Sequence, residues 1–158
     1  MGGGFFEQGI SRQRAIGALV KLPLFQGISD DECAAVLDIC HGCTYATGEL
    51  IFTEGAASLD MYVLLKGKVE IHTARGGLLQ TLGPGEVFGE MGMICQMKRT
   101  AGARAADDCI LVKLAKNEFD LFLGRFPRIG YIIMRNLVAT LSQRFVRLQG
   151  ERSPAELI

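Results

Sequence analysis

Eleven glycines fall between Gly42 and Gly102, and short apolar runs fill the gaps between them. The runs are Leu50–Phe52, Met61–Leu65, Val69 with Ile71, Leu78–Leu82 and, past an Asp107-Asp108 turn, Cys109–Leu114. Glycine inside a helix costs about 1 kcal/mol relative to alanine, so this density excludes long helices across the segment. Short runs separated by turn residues predict strands of an all-β sandwich or roll. Lys66-Gly67-Lys68 and Arg75-Gly76-Gly77 read as hairpin turns. Val69 and Ile71 alternate with Glu70 and His72, which predicts one buried and one wet face.

Helical signals flank this segment. Ser29 followed by Glu32 is a capping box. Cys33, Val36, Leu37 and Cys40 then follow helical spacing, predicting a helix from about Asp30 to Cys40. Upstream, Pro23 interrupts any long helix, and Phe5–Val20 reads as one or two short helical pieces. Gly2–Gly4 is expected to be unstructured. Lys116–Phe126 is helical by the spacing of Phe119, Phe122, Leu123 and Phe126. Pro127 suits the first turn of a second, longer helix over Arg128–Gln149. One face of that helix carries Tyr131, Met134, Val138, Leu141, Phe145 and Leu148 at heptad spacing, a seam for a partner helix. The neighbouring face, Ile129, Ile132, Ile133, Asn136, Leu137 and Thr140, suits packing on the roll. Gly150 ends the helix, and the last eight residues are expected to fray. The fold class is therefore α+β: an antiparallel β-roll, or double-stranded jelly roll, with flanking N-terminal helices and two C-terminal helices. Residues 1–21 form an N-terminal segment, 22–149 one domain and 150–158 a tail.

Composition narrows the function. At 158 residues with 49% hydrophobic content, the chain builds one domain with a core. No apolar window is long enough to span a membrane. Seventeen basic residues balance seventeen acidic ones, which argues against coating nucleic acid or a lipid surface. The start lacks a signal-peptide pattern. Gly2 resembles a myristoylation start, but Phe6 stands where Ser or Thr is needed. Five cysteines, an odd number, suit a reduced, cytoplasmic setting. Cys40-His41-Gly42-Cys43 invites a metal or redox reading, but no second ligand pair at suitable spacing follows. Buried free thiols at a helix end are the favoured reading.

The chemistry concentrates in Val87–Ala101, VFGEMGMICQMKRTA. Gly89 permits close backbone approach, and about one turn of helix, Met91–Cys95, follows Glu90. The free N–H groups of a helix start attract an anion. Arg99, with its planar fork, matches phosphate oxygens. A carboxylate beside a phosphate repels it unless it faces a hydroxyl, so a sugar phosphate is the most economical ligand. A structural Glu90–Arg99 ion pair is the bland alternative. Thr100 is assigned either a ligand contact or a satisfied strand hydroxyl, and Arg104 a solvated strand charge. No Ser/His/Asp grouping, P-loop or catalytic carboxylate pair stands out, so no enzyme is expected. A cupin-type metalloenzyme is the enzymatic alternative, weakened by there being two histidines, His41 and His72.

Phe-Gly-Glu, a short helix and Arg-Thr-Ala resemble the phosphate-binding cassette of cyclic-nucleotide-binding domains. That family includes bacterial catabolite activators, cyclic-nucleotide-regulated channels and kinase regulatory subunits. The resemblance extends over Leu22–Leu148 through the Pro23-Leu24-Phe25 turn and the glycine pattern of the roll. Lys98 stands where the family often has proline, and Ala56 where it often has an acid. The resemblance implies that Glu90 takes the ribose 2′-OH and Arg99 the cyclic phosphate of cAMP or cGMP. Phe88, Gly89, Met91, Gly92, Thr100 and Ala101 complete the cassette. Ile71, Leu79 and Leu82 are the implied base contacts, with Thr140 or Arg144 contributing from the closing helix. The implied function is a stand-alone receptor whose C-terminal helices move on ligand binding and signal to an unknown protein effector. A sensory fragment of a larger transcription regulator, channel or kinase is the alternative. A homodimer through the last helix is implied by the activator relatives, packing on Phe5–Val20 by the channel relatives. No helix-turn-helix is expected within the chain, and no nucleic-acid binding.

Overall fold

In the computed structural model, which describes residues 3–4 and 11–150, the glycine-punctuated runs form strands of two antiparallel sheets. The chain runs through β1 (Gly3–Gly4), α1 (Arg12–Leu19), a 3-10 turn (Pro23–Phe25), α2 (Asp30–Leu37), β2 (Cys40–Tyr45) and β3 (Leu50–Phe52). It continues through β4 (Met61–Lys66), β5 (Val69–His72), β6 (Leu78–Leu82), β7 (Val87–Phe88) and α3 (Glu90–Cys95). Last come β8 (Gly102–Ala105), β9 (Cys109–Leu114), α4 (Lys116–Arg125) and α5 (Pro127–Gly150). One sheet has the order β1-β2-β9-β4-β7 and the other β3-β8-β5-β6. The α+β roll with flanking helices is the expected architecture.

Two hydrophobic layers hold it together. The roll interior contains Cys43, Tyr62, Leu64, Val69, Leu82, Phe88, Ala103, Ala105, Cys109 and Leu111. The outer face of the first sheet, through Met61, Val63, Val112 and Leu114, packs against α1, α2, α4 and α5. The β4 strand therefore buries both faces, which is why Met61–Leu65 is apolar without alternation. Ile129, Ile133 and Leu137 are the α5 face that lies on this layer, each buried side chain contributing about 1.5–3 kcal/mol. Asn136 fixes α5 to the turn below it, its Nδ2 donating to Leu24 O at 2.9 Å and Gln26 O at 2.8 Å.

Several local expectations are corrected. The helix α2 ends at Leu37, and Cys40 starts β2, paired with Leu114. Cys-His-Gly-Cys-Thr-Tyr has little strand signature of its own; the β9 partner captures it. Cys40 and Cys43 consequently sit on a strand, not at a helix end. Three residues apart, they face opposite sides: Cys40 joins the helical layer and Cys43 the roll interior. All five cysteines are free. Lys66-Gly67-Lys68 is not a hairpin, because β4 and β5 belong to different sheets. Gly67 has φ +96°, and a Cβ there would stand 2.6 Å from Asp108 O, so the crossover requires glycine. Arg75-Gly76-Gly77 does close a hairpin, with Thr73 N–H donating to Gly77 O at 2.8 Å. Gly3 and Gly4 are paired with Gly42 and His41 rather than unstructured. Gly2, Phe5–Ile10 and the tail 151–158 lie outside the described residues.

Candidate functional site

Gly89 adopts the left-handed conformation, φ 77°, immediately before α3. An added Cβ there would stand 2.8 Å from Arg99 Nη1 and 2.8 Å from Asp60 O. At Gly92 it would stand 3.0 Å from Ser58 O and 3.1 Å from Arg99 Nη1. Gly89 is thus required by its positive φ and by the approach of Asp60 O and Arg99, whereas a side chain at Gly92 would need Ser58 or Arg99 to give way by a few tenths of an ångström. Gln96, also left-handed at φ 54°, terminates α3 and turns the chain toward Arg99.

Arg99 is the one buried charged residue among the described residues, 5% exposed. Its Nη1 donates to Gly89 O at 2.9 Å, and its Nη2 to Asp60 O at 2.6 Å and Ser58 Oγ at 3.1 Å. The guanidinium carbon lies 4.1 Å from the Phe52 ring centroid, and Phe52, Tyr62 and Phe88 form an aromatic cluster behind it. The main chain is pinned as well. Arg99 N–H donates to Ala56 O at 2.9 Å, and Arg99 O accepts from Gly55 N–H at 2.7 Å. The Gly55–Ala56 turn, given no role from sequence, therefore anchors the cassette. Arg99 Nε is buried and has no hydrogen-bond partner. Burial lowers the Arg99 pKa from its ordinary value, while Tyr62, Asp60 and Glu90 act in the opposite direction. The polar contacts of Arg99 go to backbone and Ser58; among the described residues it forms no ion pair with Glu90.

A cavity of about 210 Å³ opens beside Arg99. Of the residues singled out from sequence, Ile71, Leu79, Phe88, Gly89, Glu90, Met91, Gly92, Arg99, Thr100, Ala101 and Arg144 all border it. Two do not. Leu82 is fully buried in the roll interior, because β6 carries it inward opposite Val69. Thr140, one helical turn before Arg144, borders a separate cavity with Lys21–Pro23 and Pro84–Glu86. Thr100 lies on an exposed bend, not in a strand. Phe52, Gln80 and Lys98 border the site without having been assigned to it from sequence. The aromatic that ends the short Leu50–Phe52 run was a signal for Phe52; nothing in the local pattern marks Gln80. Lys98, Arg99 and Arg144 against Glu90 leave the lining cationic, which suits an anion. Arg144, which borders the cavity, donates from Nη2 to Val87 O, and one turn on Arg147 pairs with Glu86 at 3.1 Å beside the separate Thr140 cavity.

The family model of the cyclic nucleotide-binding domain matches residues 43–126, more than half of the chain. The cyclic AMP receptor protein of Thermus thermophilus is 33% identical over 126 residues, covering 77% of this chain and 56% of the relative. Glutaminase 1 of Bradyrhizobium diazoefficiens is 33% identical over 128 residues, covering 81% of this chain and 21% of that enzyme. The chain thus spans only part of the length of these relatives. The crystal structure of the Thermus thermophilus catabolite activator protein superposes with a TM-score of 0.68 at 32% identity, covering 82% of this chain and 61% of that one. Fold, cassette and sequence agree, and the chain belongs to the cyclic nucleotide-binding domain family.

Proposed function

We propose that the chain is a cytoplasmic receptor for a cyclic purine mononucleotide, cAMP or cGMP, and acts by binding rather than by turnover. The carrying observation is Arg99: a 95% buried cation at a cavity wall whose Nε donor is unfilled. A buried donor without a partner costs about 1–3 kcal/mol, which an anionic ligand oxygen relieves. The cyclic phosphate docks on Arg99 and on the N–H groups after Gly89, and Glu90 receives the ribose 2′-OH. Phe88, Met91, Gly92, Thr100 and Ala101 shape the cassette around them, and Ile71 and Leu79 flank the base.

A cavity of about 210 Å³ is smaller than the roughly 300–1,000 Å³ of typical small-molecule sites. Admitting a nucleotide therefore displaces the rim, where Arg144 holds α5 to Val87 O. Ligand favours the arrangement in which α5 reseats on the base, a population shift that a protein effector senses. A homodimer through α5 belongs to the same reading. The chain's share of its relatives' lengths favours a second version, in which the same receptor is the sensory part of a longer regulator; the intact mass of the natural protein distinguishes the two.

Titration calorimetry with cAMP, cGMP and a cyclic dinucleotide tests the reading. One of the two mononucleotides binds, and Arg99→Leu loses about 2–5 kcal/mol of that affinity, the usual loss on removing one partner of a buried charged contact. Binding within threefold of wild type by Arg99→Leu overturns the site.

A further inference from the structure

The cavity that Thr140 borders has a volume of about 570 Å³, within the roughly 300–1,000 Å³ of small-molecule sites. It lies between α5 and two turns of fixed shape. One is the Pro23–Phe25 turn, which Asn136 ties to α5. The other runs from Gly83 to Glu86. There Gly83 N–H donates to Glu86 Oε2 at 2.7 Å, and Gly85 N–H donates to Leu64 O at 2.7 Å. The turns meet: a Cβ on Gly85 would stand 3.5 Å from Pro23 Cδ. These walls are set before any ligand arrives, which lowers the cost of binding. Pro23, Leu65 and Pro84 supply apolar lining.

The charges of this cavity do not balance. Lys21, Arg144 and Arg147 line it against a single carboxylate, Glu86. Glu86 is already committed to Gly83 N–H and to Arg147. Among the described residues no carboxylate pairs with Lys21 or Arg144. Three cations against one anion leave two positive charges over. Arg144 spends Nη2 on Val87 O, and its Nε is enclosed without a hydrogen-bond partner. Like charges around one concavity repel one another, and its low-dielectric walls focus their field on an incoming anion. We propose that this cavity is a second ligand site, built for a small organic dianion, the charge class shared by phosphate monoesters and dicarboxylates. Two negative charges match the two positive charges left over. The volume and the apolar lining suit a carbon body rather than a bare inorganic ion. Thr140 and Gln143 add a hydroxyl and an amide for its polar groups. The site holds whatever ligand the cassette takes.

The test titrates the protein with phenyl phosphate, phthalate and, as a monoanion of similar body, benzoate. Arg144 borders both cavities, so the variants avoid it. Lys21→Gln with Arg147→Gln removes two of the three cations. Glu86→Gln removes the competing carboxylate while keeping an oxygen for Gly83 N–H. Thermal melts establish that each variant is folded. At least one of the two dianions should bind the wild type with a Kd of about 1 mM or tighter, and the tighter of them names the source of the charge. Benzoate should bind at least about fivefold more weakly, the upper value for one exposed ion pair. The double variant should lose about tenfold in dianion affinity, and Glu86→Gln should gain. Neither Lys21 nor Arg147 borders the cavity beside Arg99, so a dianion bound there would be indifferent to the double variant. No binding of either dianion, benzoate as tight as both, or a folded double variant with wild-type affinity overturns the site. A Glu86→Gln variant that binds more weakly than the wild type overturns it as well.

Discussion

Glu90 and Arg99 stand nine positions apart in sequence but occupy different environments. Arg99 is enclosed, with two backbone carbonyls and a serine hydroxyl around it, whereas Glu90 is only half-buried at the cavity edge. Replacing Arg99 therefore has two effects. It removes the proposed phosphate anchor, and it takes away the donors to the Gly89 and Asp60 carbonyls, at about 1–3 kcal/mol of folding stability where a buried group is left unsatisfied. The loss of affinity and the loss of stability are measured separately, by titration and by thermal melt. Glu90 has no such structural burden. Glu90→Ala should weaken cAMP by about 1.5–3 kcal/mol, the range for a hydrogen bond to a charged group. The 2′-deoxy analogue should lose much less, and equal losses for both would contradict a 2′-OH contact. The cassette was legible because its chemistry lies in contiguous residues. Ser58, Asp60, Phe52 and Gln80 were not, because they reach Arg99 or its cavity from other strands and loops.

Helix α5 divides its work along its length and around its circumference. Ile129, Ile133 and Leu137 are buried on the first sheet, the packing expected of that face. The heptad seam does not behave as a unit. Met134 and Leu141 pack against the core, whereas Tyr131, Val138 and Phe145 are 65%, 60% and 62% exposed. These three repeat every seven residues and form a narrow apolar stripe. A second copy of the chain is the proposed occupant. Val138→Glu with Phe145→Glu, which leaves the core-packed positions intact, should convert a dimer to a monomer by light scattering without lowering the melting temperature appreciably. A wild type that is monomeric at high concentration, with and without nucleotide, would remove the dimer.

Across the whole molecule, two carboxylates tie distant segments together. Glu32 accepts from Ser29 N–H at the start of α2 and pairs with Arg128 of α5. Asp108 accepts from the Thr47 N–H at 2.9 Å and its hydroxyl at 3.0 Å, joining the loop after β2 to the start of β9. Hydrogen bonds from Ser29 and Thr47, respectively, hold both pKa values below their ordinary ones. A carboxyl with a lower pKa when folded binds fewer protons in that state than when unfolded. Its contribution is present above the unfolded value and disappears as pH falls through the folded one. Stability should therefore decline as pH drops below about 4, near the unperturbed carboxyl values. Glu32→Gln should lower the melting temperature at pH 7 and narrow its difference from the wild type as the pH falls. An unchanged difference across that range would remove Glu32 from the acid response.

The sequence by itself determined the roll, the flanking helices and the cassette. Each is written in local periodicity, in glycines at turns and in residues that are neighbours along the chain. Tertiary structure alone decided that Cys40–Tyr45 is a strand, since pairing with β9 outweighs the weak preference of that segment. It also decided that β4 passes to β5 by changing sheets, a choice made by the stacking of Gly67 against Asp108 and Cys109. Likewise it sent Leu82 into the core while holding Gln80 at the cavity. Strand alternation puts these two residues on one face, but how far that face is filled depends on the strands and helices packed against it.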